Sequence, residues 1–152
     1  MLYIWNNQIT SLEPLSYCIN LCTLCCNNNQ ITTLEPLSHC LNLQDLYCSH
    51  NQIITLEPLS YCSKLHTLDF RNNQITRLEP LLFLAHLRFL DLEENPLNAQ
   101  IAVIQILLNR MDANIKSYDD NYKKNSQNHQ SKYRLGLYPI SSQMSHYFLW
   151  IM

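Results

Sequence analysis

The pentapeptide Asn-Asn-Gln-Ile-Thr, written His-Asn-Gln-Ile-Ile in its third copy, places its second Asn at Asn7, Asn29, Asn51 and Asn73, and a further Asn stands at Asn95. The interval is 22 residues each time, with no insertion. A period kept in this way constrains a chain more than any local signal, because each unit must build the same coil and stack on the one before. Other columns keep the same phase: Leu2, Leu24, Leu46, Leu68 and Leu90; Ile9, Ile31, Ile53, Ile75 and Leu97; Leu12, Leu34, Leu56 and Leu78. Pro14, Pro36, Pro58 and Pro80 form another, followed by Leu15, Leu37, Leu59 and Leu81.

Within each unit a short period-2 stretch, such as Leu24-x-Cys26 or Leu68-x-Phe70, predicts a strand with one buried face. Stacked units then lay these strands side by side as a parallel sheet. Further along, Leu34-Glu35-Pro36-Leu37-Ser38 puts Pro where the first turn of a short helix or 3-10 segment accepts it. Leu34, Leu37 and Cys40 follow at the spacing of a helical turn and are expected to point inward. Glu13, Glu35, Glu57 and Glu79 each precede that Pro, where an acid suits the helix dipole, so their recurrence is read as structural.

One unit written from Leu21 reads LxxLxCxxNxIxxLxPLxxCxN, and the next begins at Leu43. In these columns residues 1–97 resemble the leucine-rich repeat family, in the 22-residue subclass shared by bacterial internalins and intracellular phosphatase-regulator-type repeats. The resemblance implies an α/β repeat solenoid: a right-handed horseshoe with a parallel concave β-sheet and a convex side of short 3-10 turns. It also implies that Asn7, Asn29, Asn51, Asn73 and Asn95 form a structural ladder. An Asn amide carries two donors and an acceptor, enough to satisfy backbone groups turned away from water inside each coil.

After Leu97 the repeat breaks down. Gln100 stands where Leu belongs and Ala102 where Pro belongs. Ile101, Ile104, Leu108 and Met111 share a helical stripe, and Asn98 offers an N-cap. Residues 98–116 are therefore read as a C-terminal helical cap, formed in place of a sixth coil, that shields the last apolar face. Residues 117–152 are read as a polar, disordered tail with an apolar end, Tyr147 to Met152, which packs on the cap, binds a partner or stays loose. At the other end Leu2 is already a strand residue, leaving an uncapped edge. Dimerisation, a covering partner or truncation of a longer chain would each account for that edge.

Of 152 residues, 10 are basic and 12 acidic, a balance that gives no footprint for nucleic acid. No run reaches the ~18 apolar residues a spanning helix needs, nor does the N-terminus read as a signal peptide. The seven cysteines contain Cys22-x-x-Cys25-Cys26, with Cys48 and His50 further on, which superficially suits zinc. Repeat phase argues otherwise. Cys18, Cys40 and Cys62 share a column with Leu84, and Cys26 and Cys48 share one with Ile4, Phe70 and Leu92. Five cysteines thus replace buried aliphatic residues, where a thiol behaves as a small hydrophobe, while Cys22 and Cys25 face outward. The expectation is no metal, no cofactor, reduced thiols and a cytoplasmic, reducing location, unlike the surface location the internalin resemblance implies.

Function is sought in the columns that vary. Tyr3, Cys25, Tyr47, Asp69 and Asp91 form one; Trp5, Asn27, Ser49, Arg71 and Glu93 a second; Asn6, Asn28, His50, Asn72 and Glu94 a third. Aromatics gather in the early coils and acids in the late ones, as suits a protein ligand with an apolar anchor and a basic flank. Tyr3, Trp5, Tyr47, His50, Asp69, Arg71, Asp91 and Glu93 are the candidate partner-binding residues. The only glycine is Gly136, so no Gly-rich phosphate loop exists, and no catalytic set falls on one surface by phase. The expected function is a non-enzymatic, intracellular protein-interaction scaffold that binds a protein partner of unspecified identity on the concave face. The alternatives are a substrate-recognition arm of a ubiquitin-ligase-type adaptor lacking its effector domain, or a truncated paralogue without function.

Overall fold

A computed structural model describes residues 1–98 and 100–126. Contacts divide the chain into Met1–Asn114 and a second unit from Ile115 onward. The first unit holds five parallel strands, β1 (Leu2–Tyr3), β2 (Thr23–Cys25), β3 (Asp45–Tyr47), β4 (Thr67–Asp69) and β5 (Phe89–Asp91), adjacent in chain order. The repeat period fixes their register. Leu2 pairs with Leu24, Leu24 with Leu46, Leu46 with Leu68 and Leu68 with Leu90. Each three-residue strand turns its central Leu inward and its two neighbours outward, so the sheet has one core face and one open face. Leu24, Leu46 and Leu68 are fully buried.

Where the chain leaves each strand, the backbone enters the left-handed region. Among the described residues positive φ falls on Asn6, Asn28, His50, Asn72 and Glu94, at 51 to 58°. This conformation crowds Cβ against the carbonyl and favours Asn, whose short side chain tolerates it. Asn28 Nδ2 donates to Asn6 Oδ1 at 2.8 Å, and Asn72 Nδ2 lies 2.9 Å from His50 Nδ1. Glu94 is the poorest fit to that backbone. Glu94→Asn is expected to raise stability by about 0.5–1 kcal/mol, seen as a higher denaturant midpoint at unchanged slope.

One residue later comes the inner Asn column. Asn51 Nδ2 donates to the carbonyls of Cys26 (3.0 Å), Cys48 (3.1 Å) and Ser49 (3.3 Å), while its Oδ1 accepts the Ile31 N–H at 3.0 Å. Asn73 repeats the set on Cys48, Phe70 and Arg71, with the Ile53 N–H as donor. The Cys48 carbonyl therefore receives two amides, one from its own coil and one from the next. Asn29 and Asn95 do likewise, and Asn29, Asn51 and Asn73 are buried. Asn7 is exposed, and its side-chain amide donates within its own coil, to the carbonyls of Ile4 and Trp5.

The convex side consists of 3-10 turns at Glu13–Leu15, Glu35–His39, Glu57–Tyr61 and Glu79–Phe83, each with Pro in its first turn. Thr33 Oγ1 accepts the Glu35 N–H and Thr55 Oγ1 the Glu57 N–H, both at 3.2 Å, which occupies donors a helix start leaves open. Leu34, Leu37, Cys40 and their equivalents in the next coil are fully buried. Three of the buried thiols act as donors as well as filler: Cys40 Sγ reaches the Leu15 carbonyl and Cys62 Sγ the Leu37 carbonyl, each one coil back, and Cys26 Sγ the Tyr47 carbonyl one coil on.

Helix α1 spans Ile101–Ser126 and differs from expectation in three respects. It runs ten residues past 116, so the polar stretch 117–126 is helical where a disordered tail was expected. With neither Pro nor Gly between residues 98 and 126, a helix nucleated on packed residues has nothing to stop it. The rest of the expected tail, residues 127–152, lies outside the described residues. Second, Gln100 rather than Asn98 stands at the helix entry, its carbonyl accepting the Ile104 N–H at 3.0 Å. Third, the buried stripe is Ile104, Leu107 and Met111, with Leu108 only half-buried. Polar hooks fix that phase: Arg110 Nη1 donates to the Leu82 carbonyl, and Asn114 Nδ2 to those of Ala85 and Leu87. Gln100 Oε1 accepts the Leu78 N–H at 2.9 Å, closing a backbone donor of the last coil.

Candidate functional site

The open face of the sheet carries two rows set by strand register. Tyr3, Cys25, Tyr47, Asp69 and Asp91 lie side by side across β1 to β5, and Thr23, Asp45, Thr67 and Phe89 form a row two residues earlier. This second row is absent from the sequence-derived site. The signal was available: if Leu46 points inward, both Asp45 and Tyr47 point outward. Tyr3 and Trp5 are 57% and 53% exposed, and Tyr47 is half-buried.

The acids at the β5 end are not free. Arg71 Nη2 reaches both Asp91 Oδ2 and Glu93 Oε2 at 2.9 Å, which holds three of the candidate residues together. Asp91 is only 9% exposed. The Asp91 charge raises the Arg71 pKa further, so the guanidinium stays charged. Asp69 is directly opposite Asp91 in the sheet yet outside this cluster. Its Oδ1 accepts the Arg71 backbone N–H at 3.2 Å, and burial pushes its carboxyl above the usual range. His50 is exposed and stands on the left-handed turn rather than in a strand, so backbone geometry constrains what can replace it.

Cys22 is exposed, Cys18 and Cys25 half-buried, and Cys26, Cys40, Cys48 and Cys62 buried. Cys18 departs from the buried position expected of it, because in the first coil its column is less covered. The sulfurs of Cys26 and Cys48 lie 2.8 Å apart in the core. Burial raises the Cys48 thiol well above its ordinary range and pushes Cys62 up to about 11, so both remain protonated and weakly nucleophilic at neutral pH. Among the described residues no group of three His, Cys, Asp or Glu side chains is placed to hold a metal ion. No helix among them is long and apolar enough to cross a membrane.

A further surface feature escaped the sequence reading. Tyr17, His39, Tyr61 and Phe83, one per coil at the same step of 22, are all exposed on the convex side, Tyr17 by 89%. The convex side is thus less uniform than its repeated Leu-Glu-Pro-Leu suggests.

Comparison with known proteins agrees with this geometry. The family model described as leucine-rich repeats (2 copies) matches residues 1–39, 19–61 and 63–105. No curated protein matches the sequence. Among solved structures, internalin C2 of Listeria monocytogenes is 37% identical, with a TM-score of 0.63 over 64% of this chain and 43% of that one. An internalin F of the same organism is 29% identical, with a TM-score of 0.66 over 72% of this chain and 31% of that one. The functional domain of InlJ, also from Listeria monocytogenes and described as including a cysteine ladder, is 31% identical with a TM-score of 0.57, over 64% of this chain and 21% of that one. The chain spans less than half the length of each of these. Five in-register strands, 3-10 turns opposite them, an inner Asn ladder and a match over most of the sequence lead to one statement: the chain belongs to the leucine-rich repeat family.

Proposed function

We propose that this chain is a protein-binding module that engages a protein partner on the concave, open face of its sheet. The observation that carries the reading is the contrast between faces of the same strands. Inward positions repeat Leu in every coil, while outward ones change from Tyr3 and Trp5 to Tyr47 and then to a carboxylate-rich end. Proteins of this family act in general as interaction scaffolds, and fold alone does not fix the ligand. Exposed aromatic side chains on a rigid sheet offer large contact area at little cost in side-chain freedom. Tyr47→Ala is expected to weaken binding by about 2 kcal/mol, roughly 30-fold. The measurement is capture of a partner from lysate of cells that carry the chain, with Kd then measured for the purified pair. Retention by Tyr47→Ala together with loss by Tyr61→Ser plus Phe83→Ser would move the site to the convex side.

The reading includes a reducing, cytoplasmic location, supported by four buried thiols that pack as core residues, three of which donate to backbone carbonyls. Protein unfolded without reductant is expected to titrate as seven thiols, and native protein to react first at Cys22. A native disulfide or a stoichiometric zinc would contradict it.

A further inference from the structure

We infer that the middle of the sheet face, where Asp45 and Asp69 flank Tyr47, receives a Lys or Arg side chain of an extended segment of the partner, laid against the Tyr47 ring. This rests on the concave-face reading above and adds the partner's chemistry.

Charge complementarity carries the argument. Asp45 precedes Tyr47 by two residues on β3 and shares its face, and Asp69 is the in-register neighbour of Tyr47 on β4. Among the described residues the ion pairs join Arg71 to Asp91 and Glu93, and Arg77 to Glu79; neither Asp45 nor Asp69 takes part in one. The two carboxylates accept from neutral donors instead: Thr23 Oγ1 on Asp45 Oδ2 at 3.3 Å, and on Asp69 the Arg71 backbone N–H at 3.2 Å and the Ser49 side chain. An ionised carboxylate has about four acceptor positions, so both keep capacity for a further donor. The chain thus directs the contacts of its own guanidinium to the acids of the β5 end; Arg71 acts on Asp69 through its charge without an ion-pair contact, and the β3–β4 acids keep room for a cation in direct contact. The local field is negative: after burial, Asp45 is the largest influence raising the Tyr47 hydroxyl pKa, and Asp69 adds to it. A cation set over an aromatic face between two acids gains from ring and carboxylates together.

The same face fixes the spacing of a second anchor. Tyr3 on β1 and Tyr47 on β3 are two strands apart in one row, about 10 Å at ~4.8 Å per strand. A segment in the polyproline II conformation covers that distance in three residues at ~3.1 Å each, and its three-residue turn brings the side chain back to the same face. The segment that fits therefore carries a basic residue and an apolar residue separated by two others, the basic side chain at Tyr47 and the apolar one at Tyr3 and Trp5.

The test is selection from a random dodecapeptide display library on the immobilised full chain, followed by Kd measurement for the enriched peptides. Enrichment of a Lys or Arg with an apolar residue three positions away is expected. Affinity should fall at least about tenfold when Arg is replaced by citrulline, or on Asp45→Asn plus Asp69→Asn, and should weaken with added salt. Asn keeps the shape and the acceptor oxygen of Asp, and unfolding midpoints of the variants check that the fold is intact. Enriched peptides that lack a basic residue but lose binding on Tyr47→Ala would overturn the cation assignment and leave the concave face standing. Peptides insensitive to Tyr47→Ala and Trp5→Ala would overturn both, and so would a library that yields no binder.

Discussion

Asn51→Ala is expected to destabilise the protein by about 2–3 kcal/mol, whereas Asn7→Ala, the same change in the same column, is expected to cost about 0.5 kcal/mol or less. The difference follows from what each amide touches. Asn51 is buried, and its loss leaves the Ile31 N–H without the oxygen it donates to and takes one of two amides from each of the Cys26 and Cys48 carbonyls. Water cannot reach these groups, so the desolvation penalty remains. Asn7 is exposed, and solvent can replace its bonds to Ile4 and Trp5. Denaturant midpoints of the two variants measure the contrast. Equal midpoints would mean that the inner column does not carry the role its hydrogen bonds assign to it.

The second large effect concerns α1. Leu107→Ala is expected to cost about 3 kcal/mol and Leu108→Ala less than about 1 kcal/mol. Leu107 is 2% exposed against the end of the stack and Leu108 is half-buried. If the helix packed in the phase its apolar pattern first suggests, the ranking would reverse. Unfolding followed by far-ultraviolet circular dichroism on both variants decides between the two phases.

That helix shows where legibility in the sequence ends. Both Ile104-Leu107-Met111 and Ile104-Leu108-Met111 satisfy a 3.6-residue period, so apolar spacing alone cannot choose between them. Arg110 and Asn114 make the choice by reaching the carbonyls of Leu82, Ala85 and Leu87, and which carbonyls of the last coil are open is a property of the folded stack. The five coils were readable for the opposite reason. Leu24, Asn29 and Pro36 recur at fixed distances, and each recurrence repeats one constraint. The site falls between these cases. The row of Tyr3, Tyr47 and Asp69 follows from alternation with the core Leu, and so did the overlooked Asp45 and Phe89. What alternation cannot convey is that Arg71 leans across to Asp91 and Glu93, since a long side chain selects its partners in three dimensions.

The Asn ladder also gives the stack a direction. Asn51 binds backward, to Cys26 and Ile31 of the preceding coil, and Asn73 and Asn95 bind backward in the same way. Each coil is therefore completed by its successor, like a shingle held down by the next one laid over it. Amide hydrogens inside the early coils depend on the later ones staying in place, while the late coils lean on Gln100 and α1. Disrupting the Gln100 and α1 contacts should therefore lower exchange protection at Ile75 first, and at Ile53 and Ile31 after it. An in-frame gain or loss of one whole 22-residue unit would leave every such dependence intact, giving a lineage of these chains a way to change reach without redesigning a contact.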